Sequence, residues 1–568
     1  MLAPRSFALP LLAASLLAPA PAAATPDSDL DALVDGYYGE YPAARPVDAT
    51  ALGLHEHDGD LDDLSAAGIQ REIERLQGWR DRFASVDDKG LSPERAIDAT
   101  IVRRAIAARL LELGEVQGWR RFPDLYSDLA SRAVYVLIQR DFAPAEERLR
   151  SVASREELIP NLLAQARRNL TRVSPVAVDV ALEQNPAIVS FFENDVPAAF
   201  PEVKDAALER RFRRANAAAA RALVDYGEFL RGLRTKAKAP FAIGADLYRK
   251  KLAAEEMIET PLDELLARGD AELSRLQGEA KKVLEKIDPT RTPEQVLAEI
   301  GRDHPPRDGV LAATAERLGA LRAFVVKRKI ATLPSEALPK VQETPPFARA
   351  TTFASMDTPG PFETRGTDAF YSVTLPDPSW PAAQAEEFLR GLSRPTIENT
   401  AIHEAFPGHF VQFLWAPRFP TKTRKFEGAN SNIEGWAHYS EQMMLDEGWA
   451  AGDPKARLAM LGGALWRATR YVVGIELHTG KMSYDEAVAF FQKNAWADRR
   501  SAEMEVRRGT EDPLYLYYTW GKLEILRLRD DYKRKLGRRY TLRGFHDAFL
   551  AQGPIPLPLM RRALLGAE

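Results

Sequence analysis

Over most of its length this chain repeats apolar residues every three or four positions, a period that admits little besides α-helices. Between Asp27 and about Ile330 the pattern scarcely breaks. Ile69, Ile73, Leu76 and Trp79 mark one stripe; Ile97, Ile101, Ala105, Ala108 and Leu111 follow Pro93 in another. Pro160–Val173, Lys204–Leu233 and Pro261–Ile287 continue it, and such stripes read as core-facing surfaces. The period disappears between Leu333 and Pro381. Prolines at 334, 339, 345, 346, 359, 361, 376, 378 and 381 remove the donors a helix needs there, and AFYSVT at 369–374 is the best strand candidate. Helical patterning returns at Ala385–Leu392, Pro395–Trp415, Asn432–Glu447, Pro454–Leu477, Tyr484–Asn494 and Pro513–Leu536. The expected class is mainly α, with a small β patch near residues 350–375.

At 568 residues the chain has room for one large core or several domains. We read residues 25–568 as a single helical domain with lobes 25–330 and 331–568. A net charge of -4 without a long basic run argues against nucleic acid as a partner. Residues 1–24 differ in kind: Arg5 is their one charge, Phe7–Leu17 is apolar, and Ala22–Ala24 offers a small-residue cleavage site. That is the pattern of a secretory signal peptide, and Pro10, Pro19 and Pro21 spoil it as a membrane span. The expected location is periplasmic or secreted, with no stable membrane insertion after signal removal. The chain has no cysteine, which excludes disulfides, thiolate chemistry and a lipid anchor after the apolar run. It also lacks a Gly-rich phosphate loop behind a strand and a Gly-x-Ser-x-Gly elbow.

Chemistry concentrates between Thr400 and Gly448. His403, His409 and His438 are three of the chain's eight histidines; Glu404 follows His403 directly, and Glu434 and Glu441 flank His438. Two imidazoles and a carboxylate around an open position are the parts of a hydrolytic zinc site. The spacing is unusual. His403 and His409 are six apart, and on a regular helix that turns them roughly 240° away from each other. Pro407 and Gly408 lie between them, and Pro407 cannot donate to the His403 carbonyl, so the helix has to break or bulge there. A wide turn of two extra residues would return His409 to the face of His403. Glu404 then points about 100° from His403, where a carboxylate can serve as general base to a water. Glu434 supplies the third ligand. His438 and Glu441 suit support of a ligand imidazole, and His438 could itself bind metal.

HEAFPGH followed by EGWAHYSE resembles the bacterial family called domain of unknown function 885, with its H-E-x-x-P-G-H and E-G-W-A-x-Y patterns. The likeness extends from ATALGLHEHDGDLDDLS near residue 50 to LGRRYTLRGFHDAFLAQGPIPLPLMRR. The family is grouped with the zincin-like metallopeptidases, which implies a helical shell around a deep cleft. It also implies His403, His409 and Glu434 as zinc ligands and Glu404 as general base. EVRRGTEDPLYLYYTWG resembles a later family segment, matching Arg508 to its Arg and Tyr518 to its Tyr, with Gly509 and Tyr517 as local departures. Either Tyr518 or Tyr517 would donate to an oxyanion, and Arg508 would hold a substrate carboxylate. His478 matches a family His, with a role at the site and a role in the core both open. In peptidases of this kind an edge strand before the metal helix pairs with substrate backbone; residues 369–374, with Tyr371, would be that strand or else a hairpin that only packs.

The expected function is that of an exported zinc metallopeptidase acting on peptide bonds through a metal-activated water, its partner a peptide or small amide. The alternatives are a zinc amidase on a non-peptide or cell-wall amide, and a non-catalytic binding protein that retains the fold.

Overall fold

Pro46, Pro93, Pro175, Pro293 and Pro454 each sit in the first turn of a helix, where an absent N–H leaves no bond unmade. Ser92, Ser174 and Thr292 cap three of these helices through their hydroxyls. Prolines that look like interruptions in sequence therefore start elements. Pro160 and Pro186 are exceptions: Pro186 lies inside the helix Pro175–Ser190, and Pro160 inside the helix Ala145–Asn169, which begins fifteen residues earlier than the sequence pattern suggested. The computed structural model describes residues 25–349 and 352–566, so the signal-peptide reading of residues 1–24 falls outside them.

The chain is mainly helical, and among the described residues four cores position its helices, one of them joining Leu273 and Leu276 to Leu461 and Leu465. Another lies within residues 47–230, where Ala206–Arg234 and Ala145–Asn169 bury Leu149, Ile159, Phe212 and Leu223 between them. A smaller one gathers Leu30, Leu76, Phe83 and Ile106. The largest joins Tyr248, Leu265 and Leu321 to Trp436, Tyr471 and Tyr515. Helices from 245 to 327 therefore share their core with the C-terminal half, and the lobe boundary expected at residue 330 does not coincide with a gap in packing. Among the described residues no helix is long and apolar enough to cross a membrane.

The proline-rich stretch forms a three-stranded sheet of β1 (Lys340–Glu343), β2 (Ala354–Asp357) and β3 (Phe370–Val373), in the order β1-β3-β2. β3 runs parallel to β1 and antiparallel to β2. This corrects the expectation for residues 369–374: they form the central strand, with both edges already paired, and cannot accept a substrate backbone. The edge beside the helices Arg394–Glu404 and His409–Leu414 is β2, which packs on both. Its phase follows from the Thr374 amide donating to Phe353 O at 2.9 Å. Ser355 and Asp357 therefore face β3 with their backbone groups, and Ala354 and Met356 turn theirs outward.

Candidate metal centre

The helix Arg394–Glu404 ends directly after His403 and Glu404, and a new helix starts at His409. Between them the hydrogen bonds widen. The Phe406 amide reaches back to Ala401 O at 3.2 Å, and the Gly408 amide to Ile402 O at 3.0 Å. This is the two-residue excess that the six-residue histidine spacing demands. Gly408 is obligatory in it, since a Cβ there would lie 1.6 Å from the His403 carbonyl oxygen. The Pro407 carbonyl accepts from Trp436 Nε1 at 2.9 Å, which ties the break to the helix Asn430–Asp446 that carries Glu434.

The outcome is convergence. One ligand atom from each of His403, His409 and Glu434 lies within 4.8 Å of the others. Glu434 Oε2 sits 3.4 Å from Nε2 of His403 and 3.4 Å from Nε2 of His409. The imidazole planes stand 87° apart with centroids at 4.9 Å, so the two nitrogens approach one point from different directions. Donors held about 2.1 Å from a zinc ion at tetrahedral angles are about 3.4 Å apart, so this donor set fits zinc. Glu434 Oε2 is buried and has no hydrogen-bond donor.

Glu441 fixes the His403 ring. Its Oε1 accepts from Nδ1 at 2.7 Å, which turns Nε2 towards the centre. Asn399 Nδ2 donates to the other Glu441 oxygen at 3.1 Å, and Arg467 Nη2 lies 3.3 Å from Oε1. Burial and Arg467 both disfavour a protonated His403, yet Glu434 and Glu441 outweigh them and raise its pKa to about 9. Glu434 shows the reverse balance: burial raises its pKa, but His409 and His403 hold it well below the usual carboxylate range.

His438 lies outside the triad, with Nδ1 3.5 Å from Glu441 Oε2. Burial first, then the charge of Lys522, lowers its pKa to about 3, so it stays a neutral group behind the ligands. Glu404 is buried close to Tyr371 and makes no side-chain hydrogen bond among the described residues.

Tyr518 reaches the site through a glycine crossing. The helices Asn430–Asp446 and Tyr517–Leu536 touch at Gly435 and Gly521; a Cβ on Gly521 would fall 1.9 Å from Ser431 O, and one on Gly435 would fall 2.6 Å from the Gly521 carbonyl carbon. That contact sets Tyr518, one turn before Gly521, beside Glu434, whose charge adds to burial in raising the phenol pKa. Arg508 Nη2 donates to the Tyr518 hydroxyl at 2.9 Å. Tyr517 spends its own proton on Asp512 Oδ2 at 2.6 Å. Of the two tyrosines, Tyr518 alone keeps a donor for another group. Arg508, read from sequence as a carboxylate receptor, is occupied in holding that phenol.

Two sequence-based assignments to substrate binding do not survive. Tyr371 is 1% exposed on the central strand, and His478 is 0% exposed, donating from Nε2 to Gly509 O at 2.7 Å in the core. Neither presents a surface to a ligand. Sequence reading missed Arg467, Asn399 and the Gly435–Gly521 crossing. The last had a signal, a glycine beside Glu434 and another one turn after Tyr518.

Comparison with known proteins agrees with this architecture. The family described as bacterial protein of unknown function (DUF885) matches residues 46–564. A solved structure of a candidate lipoprotein of unknown function from Shewanella oneidensis is 26% identical, with a TM-score of 0.76, covering 96% of this chain and 100% of that one. A candidate lipoprotein from Colwellia psychrerythraea shares the fold at 18% identity and a TM-score of 0.80, covering 95% of this chain and 98% of its own. No curated protein matches.

Proposed function

The chain belongs to the bacterial DUF885 family, and from that premise we propose that it is an exported zinc-dependent metallopeptidase. The observation that carries this reading is the convergence of His403 Nε2, His409 Nε2 and Glu434 Oε2, with Glu404, next to His403 in the chain, buried as well. When bound there, zinc supplies Lewis acidity to a scissile carbonyl and lowers the pKa of a water.

The chain's own groups do the rest. Glu404 takes the proton of the attacking water and returns it to the leaving amine. Tyr518, its oxygen already accepting from Arg508, directs its own proton to the developing oxyanion. Glu441 keeps His403 in the tautomer that leaves Nε2 free for the ligand position. The outward backbone groups of Ala354 and Met356 on β2 can pair with an extended peptide, which favours peptide over other amide substrates. Export is supported by the signal-like residues 1–24 and by two structural neighbours described as candidate lipoproteins.

The test is direct. Purified mature protein should hold one zinc per chain and cleave members of a peptide panel, with activity lost to chelator and restored by zinc. Glu404→Gln should keep the zinc and lose hydrolysis. Protein without stoichiometric zinc, or a Glu404→Gln variant with full turnover, would overturn the proposal.

A further inference from the structure

A second polar pocket, of about 150 Å³, opens between the helices Pro26–Gly39, Ala66–Ala84 and Pro93–Leu111 and the segment Phe426–Glu427. Three guanidinium groups line it. Two already have carboxylate partners: Arg75 binds Glu72 at 2.7 Å and Glu40 at 3.2 Å, and Arg45 pairs with Asp48. Arg109 has none. No hydrogen bond or ion pair reaches it among the described residues, and its Nε is buried without a partner, as is Nε of Arg45. Burial and then the neighbouring charge of Arg45 push the Arg109 pKa down, against the charges of Glu72, Glu112 and Asp48. An unpaired guanidinium half-buried beside a second one is costly unless an anion joins it.

The remaining walls narrow the class of anion. Of the three guanidinium groups Arg109 alone lacks an ion pair, and the carboxylates of Glu72 and Glu427 also face the pocket, so a dianion would be repelled. The Tyr41 and Phe426 rings, in edge contact at 5.1 Å, give it an apolar side that a bare halide would not use. The planar fork of a guanidinium matches the two oxygens of a carboxylate. We propose that this pocket binds a small monocarboxylate, its oxygens on Arg109 with Arg45 alongside and its carbon end against Tyr41 and Phe426. Phe426 and Glu427 lie three to four residues before Asn430, where the helix carrying Glu434 begins, so an occupant touches the segment that leads into the metal helix.

Thermal shift and calorimetric titration at constant ionic strength, with sodium acetate, butyrate, chloride and phosphate as probes, test the site. The wild-type protein should show a saturable stabilisation by carboxylates, butyrate exceeding acetate, with at most a fifth of that shift from chloride or phosphate. Arg109→Met should abolish the response while melting at or above the wild-type temperature without ligand, because it removes an unpaired charge. Carboxylate bound at the metal centre would persist in that variant, which separates the two sites. Arg109→Lys keeps the charge without the fork and should weaken butyrate at least tenfold; it serves as well if Arg109→Met does not fold. An unsaturable or absent carboxylate response, equal shifts with chloride or phosphate, or an unaltered response in both Arg109 variants would overturn the assignment.

Discussion

Arg508 donates to the hydroxyl of Tyr518 at 2.9 Å, and Tyr517, adjacent in the chain, donates its own proton to Asp512 at 2.6 Å. One phenol is held as an acceptor with its proton free; the other is already committed. Tyr518→Phe should therefore lower kcat roughly 10²- to 10³-fold, about 3–4 kcal/mol of transition-state stabilisation, with little change in KM. Tyr517→Phe should stay within a few-fold of wild type. Steady-state kinetics on one peptide substrate decide the matter, and a larger loss in Tyr517→Phe would reverse the assignment.

In the proposed zinc site Glu441 acts through His403. Losing its carboxylate frees Nδ1 and removes the partner shared by Asn399 and Arg467. Glu441→Gln should weaken zinc binding about 10- to 100-fold, as measured by competition with a chromogenic chelator. Full activity should return at saturating zinc. Unchanged affinity would mean that the 2.7 Å contact orients nothing.

The break between the histidines was legible because it follows from two residues acting locally: Pro407 withholds a donor and Gly408 admits a close backbone approach. The ligand helices were legible for the same reason, their periodicity being a property of short windows. What failed depended on distant pairing. Nothing within residues 369–374 reveals that β1, thirty residues earlier, takes the other side of β3 and leaves β2 as the edge. A histidine on an apolar helix reads alike whether its ring meets a substrate or, as in His478, the Gly509 carbonyl from another helix. Arg467 looks like an ordinary helical arginine until Glu441 is found beside it.

Glycine positions offer a paired test of the break. Gly408→Ala would put a methyl 1.6 Å from the His403 carbonyl oxygen, and no side-chain rotation relieves a clash with backbone. The variant should lose zinc binding and destabilise the protein by about 3 kcal/mol or more. Gly462, in the helix Pro454–Thr479, meets nothing within 4 Å of the added Cβ. Gly462→Ala should stabilise by about 0.5–1 kcal/mol through helix propensity alone. Chemical denaturation of the chelated proteins compares the two, and equal effects would dismiss the geometric account.

His478 makes a pH prediction of definite sign. Burial lowers its pKa from 6.5 to about 4, against the opposing bond to Gly509 O. An imidazole depressed in the folded state binds more protons when unfolded, so its contribution is intact above pH 6.5 and is lost as pH falls from 6.5 towards 4. At pH 5 the loss comes to about 2 kcal/mol. Buried acids pull the other way: burial raises Glu156 to about 8 and Glu256 to about 7, and folded states that keep such protons gain stability on acidification. The net curve is therefore uninformative, and the variant isolates the effect. His478→Gln retains an N–H for the Gly509 carbonyl and does not titrate. Urea unfolding of chelated wild type and variant at pH 7.5 and pH 5 should show the variant gaining about 2 kcal/mol on the wild type at the lower pH. His403 does not confuse the comparison, because its raised pKa places its own loss of stability between pH 6.5 and about 9, and it is common to both proteins. A difference that is the same at both pH values would mean that the folded protein protonates His478 as readily as the unfolded chain does.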